Sequence, residues 1–275
     1  MVKHLTIEEA RKDTDSRHVL GLSGGKDSAA LAIHLKDNYP DLHDKVEYFF
    51  SDTGAELPEV YEYLKKLEAY LGKEIKMIGS GRDFEHWLKV HNDYLPGPRQ
   101  RWCTVTMKLK PFEEFIGTDN CISYVGIRAD EPRDGYVSTK ENIKAVFPFK
   151  DDDLIRDDIF RILEQSVGVP EYYAWRSRSG CYFCFFQRRD EWLGLKRNHP
   201  QLFEKAKEIE RKSGAGYTWV QGMTLDEVVE KAEQKEKDAG IIHRGHTTDK
   251  EKWQNILRNA EDDDMDDQAC VICSL

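Results

Sequence analysis

Along the first half of the chain, short apolar runs rich in Val, Ile, Tyr and Phe alternate with stretches whose apolar residues return every three or four positions. Runs of the first kind fit strands buried on both faces, and stretches of the second kind fit amphipathic helices. The spacing predicts strands over residues 18–22, 46–50, 75–78 and 121–127, and helices over 28–37, 58–71 and 107–116. Pro58 stands in the first turn of its helix, where a missing N–H costs nothing. Such alternation predicts an α/β fold, a parallel twisted sheet with helices on both faces. Beyond Phe149 the period is helical, over 154–167, 191–197, 202–212 and 225–237, which predicts a mainly helical C-terminal part. The expected organisation is therefore an α/β domain over 1–150, a helical, cysteine-bearing region over 151–260, and an acidic tail with a Cys-x-x-Cys pair over 261–275.

Composition narrows the class. With 275 residues, of which 39% are hydrophobic and 11% aromatic, the chain can build a sizeable core and is not globally disordered. The formal charge is −10, but six acids fall within 261–267 and no Lys or Arg follows Arg258, so much of the acidity belongs to the tail. That tail argues against broad affinity for nucleic acid. No apolar run approaches the roughly 20 residues that span a bilayer, and the N-terminus lacks a charged-then-apolar leader. The expectation is a cytoplasmic protein that does not enter a membrane, where disulfides are disfavoured. Its six cysteines, at 103, 121, 181, 184, 270 and 273, are then core residues, metal ligands or redox groups. Cys121 opens an apolar strand and reads as core.

The sharpest local signal is Ser23-Gly24-Gly25-Lys26-Asp27-Ser28, between the first predicted strand and the first predicted helix. Paired glycines let backbone amides turn toward a ligand, and the new helix adds its free N–H groups and positive dipole end. Lys26 can neutralise a phosphate, and Ser23 and Ser28 can donate hydroxyl hydrogen bonds. The spacing is not Gly-x4-Gly-Lys, so this is not the phosphate loop of kinases and GTPases. Asp52-Thr53-Gly54 and the run Arg128, Asp130, Glu131, Arg133 follow later strands, on the carboxyl edge where open α/β sheets bind ligands. Arg128 and Arg133 suit phosphate oxygens. The bland readings are a helix-capping turn at Asp52 and a salt-bridged loop at 128–133.

Two windows without acids surround cysteines. Residues 99–110 hold Arg99, Arg101, Lys108 and Lys110 around Cys103, and residues 174–189 hold Arg176, Arg178, Arg188 and Arg189 around Cys181 and Cys184. Positive surroundings stabilise thiolates and draw in anionic nucleotides or nucleic-acid backbones. Cys103, Cys181 and Cys184 supply three thiolates, which suit a [4Fe–4S] cluster with one open iron, a Zn²⁺ site completed by another ligand, or a redox role. Arg99, Arg101, Arg176 and Arg178 would guide an anionic acceptor. Cys270 and Cys273 read as a further ligand, a persulfide relay or a frayed terminus.

The glycine string resembles the PP-loop, the pyrophosphate-binding signature of N-type ATP pyrophosphatases. The segments Ser51–Pro58, Arg101-Trp102-Cys103-Thr104 with Lys108 and Lys110, and Gly126–Arg133 are similar, in order and spacing, to the phosphoadenosine-phosphosulfate (PAPS) reductase-like branch. The resemblance covers about residues 17–190. It implies an adenine nucleotide alpha hydrolase-like fold, ATP and Mg²⁺ as ligands, and nucleotide contacts from Ser23, Gly24, Gly25, Lys26, Ser28, Asp52, Thr53, Gly54, Arg128 and Arg133. Related sulfur-inserting enzymes carry iron–sulfur clusters, which implies the same for the three thiols here.

Sulfonucleotide reductases generally have a degenerate PP-loop and a C-terminal Glu-Cys-Gly-Leu-His tail, whereas this chain has an intact Gly-Gly-Lys-Asp core and Gln268-Ala269-Cys270-Val271. The intact core favours ATP-driven activation of an oxygen and the cysteines favour sulfur as the incoming atom, and in this the chain most resembles the ATP pyrophosphatase of DNA phosphorothioation systems (Dnd and Ssp types). On that reading Lys26, Asp27, Ser28 and Cys103 are catalytic, a cysteine desulfurase supplies sulfur, and a partner protein delivers the DNA. Self-association stays open. The alternatives are a PAPS or adenylylsulfate reductase, a tRNA-thiolating enzyme, and a non-enzymatic nucleotide-sensing subunit.

Overall fold

The computed structural model describes residues 4–132, 140–214 and 216–238. The apolar runs become β1 (Arg17–Gly21), β2 (Val46–Ser51), β3 (Ile75–Ile78) and β4 (Cys121–Tyr124), joined by β5 (Ile143–Val146), which the pattern analysis did not predict. They pair in the order β3-β2-β1-β4-β5, every pair parallel, with Leu20 of β1 opposite Tyr48 on one side and Tyr124 on the other. β4 is buried throughout, as a parallel strand covered on both faces should be. It ends three residues earlier than predicted, and Val125, Gly126 and Ile127 run on as the loop beyond the sheet edge.

The helices follow in chain order: α1 (Ile7–Lys12), α2 (Lys26–Asn38), α3 (Pro40–Lys45), α4 (Pro58–Leu71), α5 (Phe84–Val90), α6 (Trp102–Thr104), α7 (Lys110–Ile116), α8 (Pro148–Asp151), α9 (Arg156–Glu164), α10 (Arg189–Asn198), α11 (Pro200–Lys212) and α12 (Leu225–Asp238). The long ones stand where the periodicity predicts helices, whereas α1, α3, α5 and α8, each of seven residues or fewer, are too short to show a helical period. A π turn over Val105–Leu109 joins α6 to α7, so helical chain begins five residues before the predicted start. Pro111 explains the widened turn: it has no N–H to offer the carbonyl of Met107, four residues back.

Chain order places β2 and β3 on one side of β1, and β4 and β5 on the other. The loops leaving β1 and β4 therefore diverge at the switch point where open α/β sheets hold ligands. A main core runs through buried residues from Ile7 to Ala232, with a smaller cluster around Val19, Phe49, Phe112 and Cys121 and another around Val125 and Phe147. The C-terminal share of the main core includes Trp192, Phe203, Trp219 and Val228, so the helical region packs onto the sheet domain through shared apolar surface. No helix among the described residues is long and apolar enough to cross a membrane.

Candidate active site at the carboxyl edge of the sheet

The turn after β1 is held by contacts that require its glycines. Gly24 has φ +72°, and a Cβ there would lie 2.6 Å from Val60 Cγ1 on α4; a Cβ on Gly25 would lie 2.6 Å from Ser179 Oγ. Within the turn, the Ser23 amide donates to Ser28 Oγ (3.1 Å) and the Gly25 amide to Ser23 Oγ (3.3 Å). The Lys26 amide, first in α2, donates to the Tyr173 hydroxyl at 3.1 Å. Tyr172 donates to the Gly24 carbonyl (2.7 Å), and Ser179 to Ser23 Oγ (3.2 Å). Two amides at the start of α2 thus point at hydroxyl oxygens, the acceptor type that phosphate would replace.

Charge around the turn is shared among five groups. Lys26 Nζ pairs with Asp27 at 2.6 Å. Arg128, on the loop after β4, pairs with Asp27 at 3.2 Å, Asp130 at 2.9 Å and Glu131 at 3.0 Å. Burial works against ionisation of Asp27, but the charges of Lys26 and Arg128 outweigh it and hold the carboxyl below its ordinary value. Lys26 and Arg128, both expected on phosphate, are thus bridged by Asp27. The salt-bridged reading of the 128–131 loop holds in this structure. Arg133 lies outside the described residues.

The turn after β2 divides its residues between two tasks. Asp52 Oδ1 accepts from the Gly54 amide and from the Tyr61 hydroxyl, both at 2.8 Å, and so caps its own turn. Thr53 and Glu56 face inward: Thr53 Oγ1 donates to Glu56 Oε1 at 2.6 Å and lies 3.2 Å from Cys181 Sγ. Burial pushes the Glu56 carboxyl above its ordinary range, although Lys108 opposes this. A backbone bridge joins Glu56 to Cys181, and the Tyr182 amide donates to the Ala55 carbonyl at 2.8 Å. The cysteine turn is thereby stitched to the sheet edge.

Cys103, Cys181 and Cys184 line one cavity of about 510 Å³. Among the described residues, however, no three His, Cys, Asp or Glu side chains are grouped to hold a metal. Burial, and after it the neighbouring Glu56, push the Cys181 thiol far above its ordinary value. The donor set as arranged here does not fit the expected [4Fe–4S] cluster or Zn²⁺. Cys121 is the core thiol expected, 1% exposed and pushed up to about 12 by burial. Cys270 and Cys273 lie outside the described residues.

The four arginines expected to guide an acceptor separate. Arg99 is exposed, and Arg101 and Arg178 both approach the Phe186 ring at the cavity, with Cζ 4.9 and 5.8 Å from its centroid. Arg176 differs. It is fully buried, and its guanidinium donates to the carbonyls of Gly180 (3.1 Å) and Cys181 (2.8 Å). It shapes the cysteine turn and cannot meet an acceptor in solvent.

A second cavity of about 300 Å³ lies at the glycine turn, lined in part by Ser23, Ser51 and Ser179. Lys108 and Gly180 line this cavity and the cysteine cavity alike.

The chain is similar to known proteins. Residues 17–150 match the phosphoadenosine phosphosulfate reductase domain. Similar curated proteins include two uncharacterized proteins of Methanocaldococcus jannaschii. One is 28% identical over 233 residues, 78% of this chain and 46% of the relative, and the other 24% identical over 208 residues, 70% and 47% respectively. The chain spans about half the length of these two relatives. Among solved structures, a phosphoadenylyl-sulfate reductase from Candida auris in a phosphate complex is 15% identical, covering 61% of this chain and 82% of that one, with a TM-score of 0.47.

The match stops at residue 150, whereas the site does not. Tyr172, Tyr173 and Ser179 close over the glycine turn from beyond the matched domain, and sequence reasoning gave them no role. Their signal was faint: two tyrosines after Pro170 look like core, and Ser179 sits in a basic window that draws attention to its arginines.

Proposed function

We propose that this protein is an ATP pyrophosphatase that adenylylates a backbone phosphate of DNA and assists its sulfuration, as in DNA phosphorothioation. The observation that carries the reading is the junction of the two cavities: the glycine-turn cavity and the cysteine cavity meet at Lys108 and Gly180. The match to a nucleotide-using sulfur-chemistry domain and the intact Gly-Gly-Lys-Asp core support it.

In the proposed reaction the terminal phosphates of ATP sit on the amides of Gly25 and Lys26, displacing the hydroxyls of Ser23 and Tyr173. Preformed donors at that position stabilise the charge that develops on departing pyrophosphate. The acceptor oxygen attacks the α-phosphorus, the bond to the β-phosphate oxygen breaks, and AMP stays on the acceptor. A persulfide loaded by a cysteine desulfurase then attacks the acceptor phosphorus, and AMP leaves. A thiol reductant cleaves the remaining S–S bond and leaves sulfur on phosphorus. Cys103, Cys181 and Cys184 are the proposed persulfide carriers. They are also the residues that a cluster or zinc would use, but the grouping described above does not support a step through a metal.

A second reading is a sulfonucleotide reductase, favoured by the name of the matching domain. A pyrophosphate-release assay separates the two. Release from ATP, with AMP formed in step, is expected; turnover of PAPS or adenylylsulfate with thioredoxin, and none of ATP, would replace the proposal with the reductase.

A further inference from the structure

The cysteine cavity has a buried end and an open end of different chemistry. At the buried end Phe183 is packed between Phe84, with centroids 4.1 Å apart, and Trp219, 5.1 Å apart and stacked nearly parallel at 16°. At the open end lie Phe185 and Phe186, half-buried, with centroids 4.4 Å apart. Two guanidiniums from distant parts of the chain converge on Phe186, that of Arg101 before α6 and that of Arg178 before the cysteine turn. The segments that carry them, 99–110 and 174–189, contain no acid.

Aromatic walls favour a flat ring, and two neighbouring guanidiniums favour an anion beside it. A single nucleotide unit of a nucleic-acid strand offers both together. Its base can reach such a cavity only when it has left the stack of a duplex, and proteins that hold single strands combine cationic groups with aromatic platforms in this way.

We infer that the cysteine cavity receives one unstacked nucleotide of a nucleic-acid acceptor, its base against Phe185 and Phe186 and its phosphate on Arg101 and Arg178. This rests on the proposed nucleic-acid acceptor and adds how it is held. It brings the phosphodiester to the cavity that the thiols line, which adjoins the glycine-turn cavity at Lys108 and Gly180.

The test is fluorescence anisotropy with the full-length chain and labelled twelve-residue strands. Oligothymidine is expected to bind about ten-fold more tightly than an abasic sugar–phosphate strand of equal length, the size of one lost stack. Phe186→Trp should keep that preference and Phe186→Ala should abolish it, whereas Arg178→Gln should weaken both strands alike and reduce the salt dependence. A parallel oligouridine arm tells DNA from RNA as the source of the base. Equal affinity for the abasic and oligothymidine strands, or equal competition by a duplex, would overturn the inference. Pyrophosphate release is read separately with ATP. If release fails while base preference persists, only the adenylylation reading falls; if the reverse holds, only this pocket falls.

Discussion

Single residues divide here into those that face a ligand and those that hold the facing ones in place. Under the proposed function Lys26 belongs to the first group, although Asp27 engages it in the described state. Lys26→Ala is expected to lower the rate of pyrophosphate release by about 100-fold or more, the scale of losing one electrostatic group from a preorganised site. The fold should survive, because Asp27 keeps its pair with Arg128; circular dichroism alongside the assay checks both halves. Arg176 belongs to the second group. Arg176→Ala would leave the Gly180 and Cys181 carbonyls without their donors and is expected to cost about 3 kcal/mol in urea unfolding. Arg178→Ala should cost less than about 1 kcal/mol, because Arg178 is half-buried and loses only its approach to the Phe186 ring. Equal effects from the two would contradict the separation of roles. From sequence the two arginines look alike, since both stand in one basic window two residues apart. Only the packing of the cysteine turn turns one inward.

At the scale of elements, the glycine turn works through its fit against α4 and the Ser179 segment. Gly24→Ala adds a strained φ and a contact of 2.6 Å with Val60, so pyrophosphate affinity should fall by at least about ten-fold. In Gly24→Ala/Val60→Ala the clash is gone and the strain remains, and calorimetry should find part of the affinity restored. No restoration would mean that the turn fails through its backbone alone. The π turn is the corresponding feature on the other side of the site. Pro111 in an otherwise helical stretch is visible in the sequence, but pattern alone reads it as a helix start near 107. In the structure the helix runs through it from Trp102, and the widened turn carries Lys108 to the junction of the cavities.

For the whole molecule, stability follows the core that the sheet and the C-terminal helices share. Two histidines in it, His18 and His43, are depressed below the ordinary imidazole value, each first by burial and then by a nearby lysine, Lys45 and Lys73 respectively. Each is hydrogen-bonded to a buried tyrosine, Tyr124 at 2.7 Å and Tyr48 at 2.8 Å. Because the folded value lies below the unfolded one, the unfolded chain binds protons first as pH falls. The contribution of these groups is therefore complete above about pH 6.5 and is lost as the solution acidifies toward the folded values. Thermal midpoints measured between about pH 7.5 and 5.5 should drop less in His18→Gln than in the parent, after correction for their difference at the upper pH. An equal drop would show that His18 does not carry this dependence.

What the chain's pattern determined by itself was the sequence of major elements, the parallel α/β class and the placing of the candidate-site turns at strand ends. Those follow from local rules, namely the periods of burial along the chain and the residues a tight turn demands, and each is written within some ten residues. β5 escaped because four residues of mixed polarity become a strand only beside β4. The tertiary structure alone decided which groups meet: Ser23 with Ser179, Glu56 with Cys181, Arg101 with Arg178 across one ring. These pairs are 77 to 156 residues apart, and no local period encodes a distance in space between them. Burial was decided there too, because whether an arginine faces solvent or two carbonyls depends on what packs above it.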